Sequence, residues 1–117
     1  MTDKELLEYA AKAAGIEVRW HEQWKCFVHV SPFNTDNPPT LAGQRLVWVP
    51  LTDDGDALRL AVKLCLCVDC VIGADEVTAF VADGIFHSEI DICADDRHAA
   101  TRRAIVRAAA EIGRAMT

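Results

Sequence analysis

Three cysteines lie close together in the segment LCLCVDCV, at positions 65, 67 and 70. Zinc binds about four sulfur or nitrogen ligands in a tetrahedron, and Cys67 and Cys70 supply two of them. Cys26 and His29, with the same spacing, would complete the set. The segment CFVHV, however, alternates as a strand, in which positions three apart point to opposite faces, so Cys26 and His29 are expected to diverge.

Interior packing is therefore our favoured interpretation of the cysteines, because reduced cysteine is among the most buried residue types. Cys65 falls on the predicted apolar face of a helix with Leu58, Ala61 and Val62. We expect no metal and no cofactor. A small zinc- or thiol-dependent regulator built on Cys67 and Cys70 stays open as the alternative, with Cys67, in a predicted turn, as the best reactive thiol.

Other groups that could support catalysis have simpler interpretations. His87, Glu89 and Asp91 share one face of a predicted strand, which is also the pattern of a solvent-facing edge. The segment TDDGD lacks the glutamate that an EF-hand calcium loop requires at its twelfth position, and the chain has no phosphate-binding glycine loop or nucleophile elbow. We therefore predict no catalytic residues and a protein that is not an enzyme.

The positioning elements begin with a helix over residues 2–14. Thr2 and Glu5 form a capping box, and Gly15 suits the left-handed conformation that ends a helix. A second helix follows near residue 53, capped by Thr52 or Asp54, and a third runs from about 95 to 116. The third carries one predicted apolar stripe, made of Ile105, Ala109, Ile112 and Met116.

Between the helices, alternating segments predict strands. IEVRWHEQWKCFVHV reads as a tight hairpin with Trp20 and Trp24 near each other across the strands, and RLVWVP as a short strand. VTAFVADGIFHSEIDI reads as a second hairpin around Asp83-Gly84. The order α, β, β, β, α, β, β, β, α predicts an α+β fold: one domain over residues 1–117, with a mostly antiparallel sheet covered by three helices.

The segment SPFNTDNPPTLAGQ, residues 31–44, contains three prolines and is predicted to be a long exposed loop. Because it carries Phe33 and Asp36, it is a candidate partner-binding segment. Together with Trp20, Trp24, Arg103 and Arg107, these two residues complete our predicted partner-binding set. Exposed tryptophans, Trp48 included, could instead pair two copies in a homodimer.

Composition narrows the classes of partner. The chain has 117 residues, 51% of them hydrophobic, and a net charge of −6. Residues 97–117 carry a net charge of +4, which leaves −10 for residues 1–96. A nucleic-acid partner is therefore unlikely on charge grounds. We see no membrane-spanning run and no secretory signal in the sequence, and so expect a cytoplasmic location in a bacterial host cell.

Three segments, ELLEYAAKAAGIE, VWVPLTDDGDALRLAVKL and ATRRAIVRAAAEIGRAM, resemble small proteins of unknown function from phages and prophages of Gram-negative bacteria. These are the group described as phage ABA-sandwich domains. The resemblance implies a phage accessory protein that acts by binding a host protein or a host defence complex, as anti-CRISPR proteins do. It carries over no catalytic residues, and residues 31–44 and the cysteine cluster depart from the family pattern.

Overall fold

The computed structural model of the protein describes residues 2–30, 47–70, 76–81, 89–92 and 97–116, with the backbone alone for 69–70, 76–81, 89–92 and 97. Nine elements follow one another in the predicted order. The helices are α1 (Asp3–Ala14), α2 (Asp54–Lys63) and α3 (Arg97–Ala115). The strands are β1 (Val18–His21), β2 (Cys26–His29), β3 (Val47–Trp48), β4 (Leu66–Cys70), β5 (Glu76–Val81) and β6 (Glu89–Ile92).

The α+β prediction is confirmed, with the strands divided between two antiparallel sheets. The first sheet has the order β1-β2-β3 and the second the order β4-β5-β6. Within each sheet, neighbouring strands are sequential and antiparallel. The predicted exposed loop, the second hairpin turn at Asp83-Gly84 and the side chains of His87, Glu89 and Asp91 lie outside the described residues or side chains.

Helix α1 has the ends that its sequence predicts. The Thr2 hydroxyl accepts a hydrogen bond from the Glu5 backbone N–H at 3.2 Å, and it also donates to the Glu5 carboxylate. Gly15 ends the helix with φ +68°, and its N–H binds the Ala11 and Lys12 carbonyls. Glycine adopts this left-handed conformation at little cost in free energy, because it has no Cβ to clash with the backbone.

Helix α3 is the element around which the others pack. It contacts α1 most extensively, and it also contacts α2 and the strands of the second sheet. The predicted single stripe is too narrow an interpretation, since Ala104, Ile105 and Val106 are three successive buried residues. Because the side chains buried on several faces of α3 are mostly small, α1, α2 and the second sheet can all pack against this helix.

The closest of these approaches lies between Gly113 of α3 and Tyr9 of α1. A Cβ atom placed on Gly113 would lie 1.9 Å from the Tyr9 carbonyl oxygen, well inside van der Waals contact. The two helix backbones are therefore in direct contact at this point, and only glycine fits. This contact sets the spacing of the α1–α3 pair.

Helix α2 presents a different face to the core from the one predicted. Its buried residues are Asp56, Ala57, Leu60 and Ala61. Leu58, Val62 and Cys65, which were predicted to be buried, are exposed. The prediction of the buried face was therefore wrong by about a third of a turn, and the cap is Asp53 rather than Thr52 or Asp54.

A buried carboxylate explains the rotation of α2. Asp56 is 2% exposed, accepts a hydrogen bond from the Val49 N–H at 2.9 Å and pairs with Arg59 at 2.7 Å. Burying an ionised group is costly unless it is hydrogen-bonded and paired, and both conditions hold here. Asp56 thus ties the first turn of α2 to the end of β3, and this turns Leu58 outward.

We predict that Gly113→Ala lowers the free energy of unfolding by about 1–3 kcal/mol, the usual cost of overpacking. Alanine favours helix over glycine by about 1 kcal/mol, so any net loss must come from the Tyr9 contact. Gly55→Ala in α2 is the matched control, because its nearest neighbours are side-chain atoms of Arg59 and Asp53. Urea unfolding measures both variants, and equal stability of wild type and Gly113→Ala would contradict the close approach.

Candidate protein-binding site

The turn that joins β1 to β2 holds an exposed tryptophan in a defined position. Lys25 adopts φ +53°, which lets the chain reverse over residues 22–25. The Trp24 backbone N–H donates a hydrogen bond to Nδ1 of His21 at 3.1 Å. The Trp24 ring then stacks on the His21 ring, with centroids 4.3 Å apart and planes 23° apart. We call residues 21–25 the hairpin tip.

Trp24 remains available to a partner despite this stacking, because 48% of its surface is exposed. The predicted cross-strand contact of the two indoles is wrong: Trp24 lies in the turn, and Trp20 pairs across the strands with Phe27. The Trp20 and Phe27 rings meet edge to face at 5.1 Å. Trp20 therefore stabilises the hairpin through its contact with Phe27, and Trp24 is exposed at the end of the hairpin.

Glu22 connects the two tryptophan positions. Its carboxylate accepts a hydrogen bond from Nε1 of Trp20 at 2.8 Å and pairs with Nζ of Lys25 at 2.8 Å. The hydrogen bond from Lys25, and to a smaller extent that from Trp20, hold the pKa of the Glu22 carboxyl below its usual range. The positive charge of Lys4 lowers this pKa further. The Lys4 ammonium also lies 4.8 Å from the centroid of the Trp20 ring, in a cation–π contact.

A groove of about 610 Å³ lies between α1 and the β1–β2 hairpin, next to the tip. Its apolar lining includes Ile16, Val18, Trp20, Phe27 and Val30. Its charged lining consists of Lys4, Glu8, Lys12 and Glu17. Apolar surface bordered by charges of both signs is typical of protein interfaces.

The arginines of α3 are mostly engaged within the chain. Arg103 pairs with Asp3 at 3.0 Å. Arg102 binds the Leu51 carbonyl oxygen at 3.0 Å and pairs with Asp54, so it attaches α3 to the segment that enters α2. Arg107 is half-buried, with no ion pair to another described residue. The predicted partner residue Arg103 is therefore a structural contact, and the positive charge of α3 is largely neutralised.

Of the other residues predicted to bind a partner or a second copy, two lie outside the described residues and one is buried. Phe33 and Asp36 lie outside the described residues. Trp48 is 2% exposed and packs in the core, so the predicted use of Trp48 to pair two copies is wrong. Sequence reasoning missed His21 and Glu22 as the groups that position the tryptophans. Their position between the two tryptophans, at the start of the predicted turn, was the available signal.

The described cysteines are not buried in the core, as the favoured interpretation of the sequence had predicted. Cys65 and Cys67 are exposed, Cys65 in the left-handed region at φ +55° just after α2 and Cys67 within β4 rather than in a turn. Cys26 is half-buried, and burial raises the pKa of its thiol. Among the described residues, no three His, Cys, Asp or Glu side chains gather where they could hold a metal ion.

The chain matches no protein-family model, no curated protein and no solved structure. The resemblance to phage ABA-sandwich domains consequently rests on the three sequence segments alone. Within the part of the chain that the structure describes, none of the helices combines the length and the apolar character needed to cross a bilayer.

We predict that Glu22→Gln destabilises the hairpin near neutral pH and has no effect in acid. A lowered pKa in the folded protein means that the carboxylate stabilises the fold above the unfolded pKa, and that this is lost as the pH falls through the folded value. Urea unfolding followed by tryptophan fluorescence, at pH 7 and pH 3, measures the difference. Glu17→Gln, which removes a carboxylate charge from the neighbouring groove, is the control. A deficit that persisted unchanged at pH 3 would contradict the role of the Glu22 charge.

Proposed function

We propose that this protein is a non-enzymatic binding protein that captures a partner protein through the hairpin tip and the adjoining groove. The proposal rests on one observation: the Trp24 ring is half-exposed and is fixed in position by its contacts with His21. Tryptophan is enriched among the residues that dominate binding energy, since it buries a large area with few rotatable bonds. Stacking on His21 and the turn hydrogen bond restrict the ring before binding, which lowers the entropy cost of association.

The groove adds the second part of the interface. Its apolar floor includes Trp20 and Phe27, so a side chain of the partner that entered it would lose contact with water there. Lys4, Glu8 and Lys12 lie at four-residue intervals along α1 and form one wall of the groove. With Glu17 they would pair with charges on the partner and set its orientation. Trp20 connects the groove to the hairpin tip, because its ring lines the groove and its Nε1 donates a hydrogen bond to Glu22 of the tip.

Charge favours a basic partner surface. The protein carries a net charge of −6, and Asp54 and Asp3 already pair with Arg102 and Arg103 of α3. The remaining excess of carboxylates would steer the protein toward positive potential, such as that of a nucleic-acid channel in a host complex. A phage or prophage origin, with a host protein or host defence complex as the target in a bacterial cytoplasm, is our proposal for the setting, and it rests on the sequence resemblance.

A thiol-dependent regulator is the second candidate, favoured by the exposure of Cys65 and Cys67. We predict that both react with a thiol reagent in the native protein and that Cys26 reacts more slowly, because Cys26 is half-buried and its pKa is raised. Mass spectrometry of labelled peptides measures the order. Partner capture unchanged by Cys67→Ser would count against this candidate, and capture abolished by it would count against the lead proposal.

We predict that Trp24→Ala weakens binding to the captured partner by about 30-fold or more, which corresponds to a hot-spot loss of about 2 kcal/mol. Trp24→Phe should lose less, because it keeps an aromatic ring on His21. The measurement is capture from a bacterial lysate, followed by titration of the purified partner.

Met116→Ser provides the matched control, since it removes an exposed apolar side chain at the far end of α3. Circular dichroism shows whether each variant keeps its fold. Equal affinity of wild type and folded Trp24→Ala for the same partner would contradict the proposal.

A further inference from the structure

Strand β1 forms an outer edge of the first sheet and turns part of its backbone outward. The Val30 N–H donates to the Glu17 carbonyl oxygen at 3.1 Å, one step beyond the Val18–His29 pair. This bond makes Val18–His29 a pair without direct hydrogen bonds, and the two kinds of pair alternate along an antiparallel ladder. The N–H and C=O groups of Val18 and Trp20 therefore point away from β2. Among the described strands, none pairs with this outer side of β1.

The groove between α1 and the β1–β2 hairpin lies along the same edge. Helix α1 and β1 run in opposite directions, since Lys4 at the start of α1 lies over the ring of Trp20 near the end of β1. Val18 and Trp20, two positions apart, share one face of the sheet and both line the groove. The α1 wall carries Lys4, Glu8 and Lys12, about 6 Å apart along the helix axis, and all three are exposed.

An extended segment of another chain would fit both the backbone edge and the groove. A strand placed beside β1 would exchange hydrogen bonds with Val18 and Trp20, whose spacing along the strand is about 6.7 Å. Residues opposite each other in a sheet have side chains on the same face, so two side chains of the added strand would enter the groove. A helix could fill the groove, but its backbone groups are bonded internally and would leave the edge of β1 without partners.

We propose that the partner contributes an extended segment, which adds to β1 as a further strand and inserts two apolar side chains, two positions apart, into the groove. This inference rests on the proposed function and specifies how the partner is held beside the hairpin tip. Hydrogen bonds between the backbones supply affinity for any extended chain, and the groove selects its side chains. The apolar floor at Val18, Trp20 and Phe27 selects apolar residues.

A second copy of β1 is a poorer occupant of this edge. The antiparallel register that joins Val18 of each copy to Trp20 of the other places the two Arg19 side chains opposite each other. Like charges directly opposite destabilise a strand pair. Each copy also carries a net charge of −6, which opposes association. Charge therefore favours a different chain as the source of the added strand.

A library of random peptides displayed on yeast, each long enough to span β1, supplies a defined probe. Sorting against the full chain should enrich peptides with two apolar residues two positions apart. N-methylation of alternate nitrogens in an enriched peptide should weaken binding by about 10-fold or more, and methylation of the nitrogens between them by less than about threefold. This alternation is expected because only every second N–H of an added strand faces β1.

Amide hydrogen exchange in the wild-type protein locates the bound peptide. The N–H groups of Val18 and Trp20 should exchange about 10-fold more slowly when the peptide is bound, because both become hydrogen-bonded. The N–H of Arg19 faces β2 and should change less. Failure of the library to yield a peptide, methylation effects without alternation, or unchanged exchange at Val18 and Trp20 would overturn the proposal.

Val18→Pro should weaken binding of the enriched peptide by about 10-fold, because proline lacks the outward N–H but is tolerated in an edge strand. Asp54→Pro is the matched control. It places proline at the first position of α2, after a cap residue whose extended backbone suits a following proline. Circular dichroism shows whether both variants keep the fold, and equal binding by wild type and folded Val18→Pro would contradict the proposal.

Two comparisons separate this inference from the proposed function. A captured partner that is lost with Trp24→Ala but bound equally well by folded Val18→Pro would refute this inference alone. Alternating methylation effects, together with a partner that Trp24→Ala still binds, would refute the Trp24 anchor alone. Wild-type dimers in sedimentation velocity that disappear with Val18→Pro would assign the edge to a second copy and refute the proposal.

Discussion

The contact between the backbones of α1 and α3 is the constraint on which the rest of the fold depends. Gly113 admits the Tyr9 carbonyl where no other residue would, and the alanines of α3 keep the neighbouring layers equally close. Small side chains bury little area each, so close packing must supply the stability that larger side chains would supply by burial. A core of this kind depends on the distance between its layers more than on the hydrophobicity of any one residue.

Because α3 is enclosed by other elements, its arginines serve as ties between them. Arg103 reaches Asp3 at the start of α1, and Arg102 reaches the Leu51 carbonyl and Asp54 at the start of α2. Two arginines of the helix that looks basic in sequence are therefore paired with carboxylates in the first turns of the other two helices. In our proposal, interaction with a partner belongs instead to the hairpin tip.

The sequence predicts the elements of this protein better than their orientation. The Thr2 cap, the Gly15 terminus and the strand order depend on local chemistry, and the described residues confirm them. The buried face of α2 could not be predicted in the same way, because its apolar positions extend around more than half of the helix. Hydrophobic periodicity then allows two rotations, and the choice between them depends on Asp56 meeting the Val49 N–H, a contact between separate elements.

The candidate sites show the same division between local and long-range information. Trp20 and Trp24 are predicted as partner residues from their types alone, whereas the His21 and Glu22 contacts that hold them follow from the geometry of the turn. The ion pair of Arg103 with Asp3 could not be predicted from the sequence, because the two residues are distant in the chain. The exposure of Cys65 follows from the rotation of α2, so the error in the helix face also predicted Cys65 to be buried.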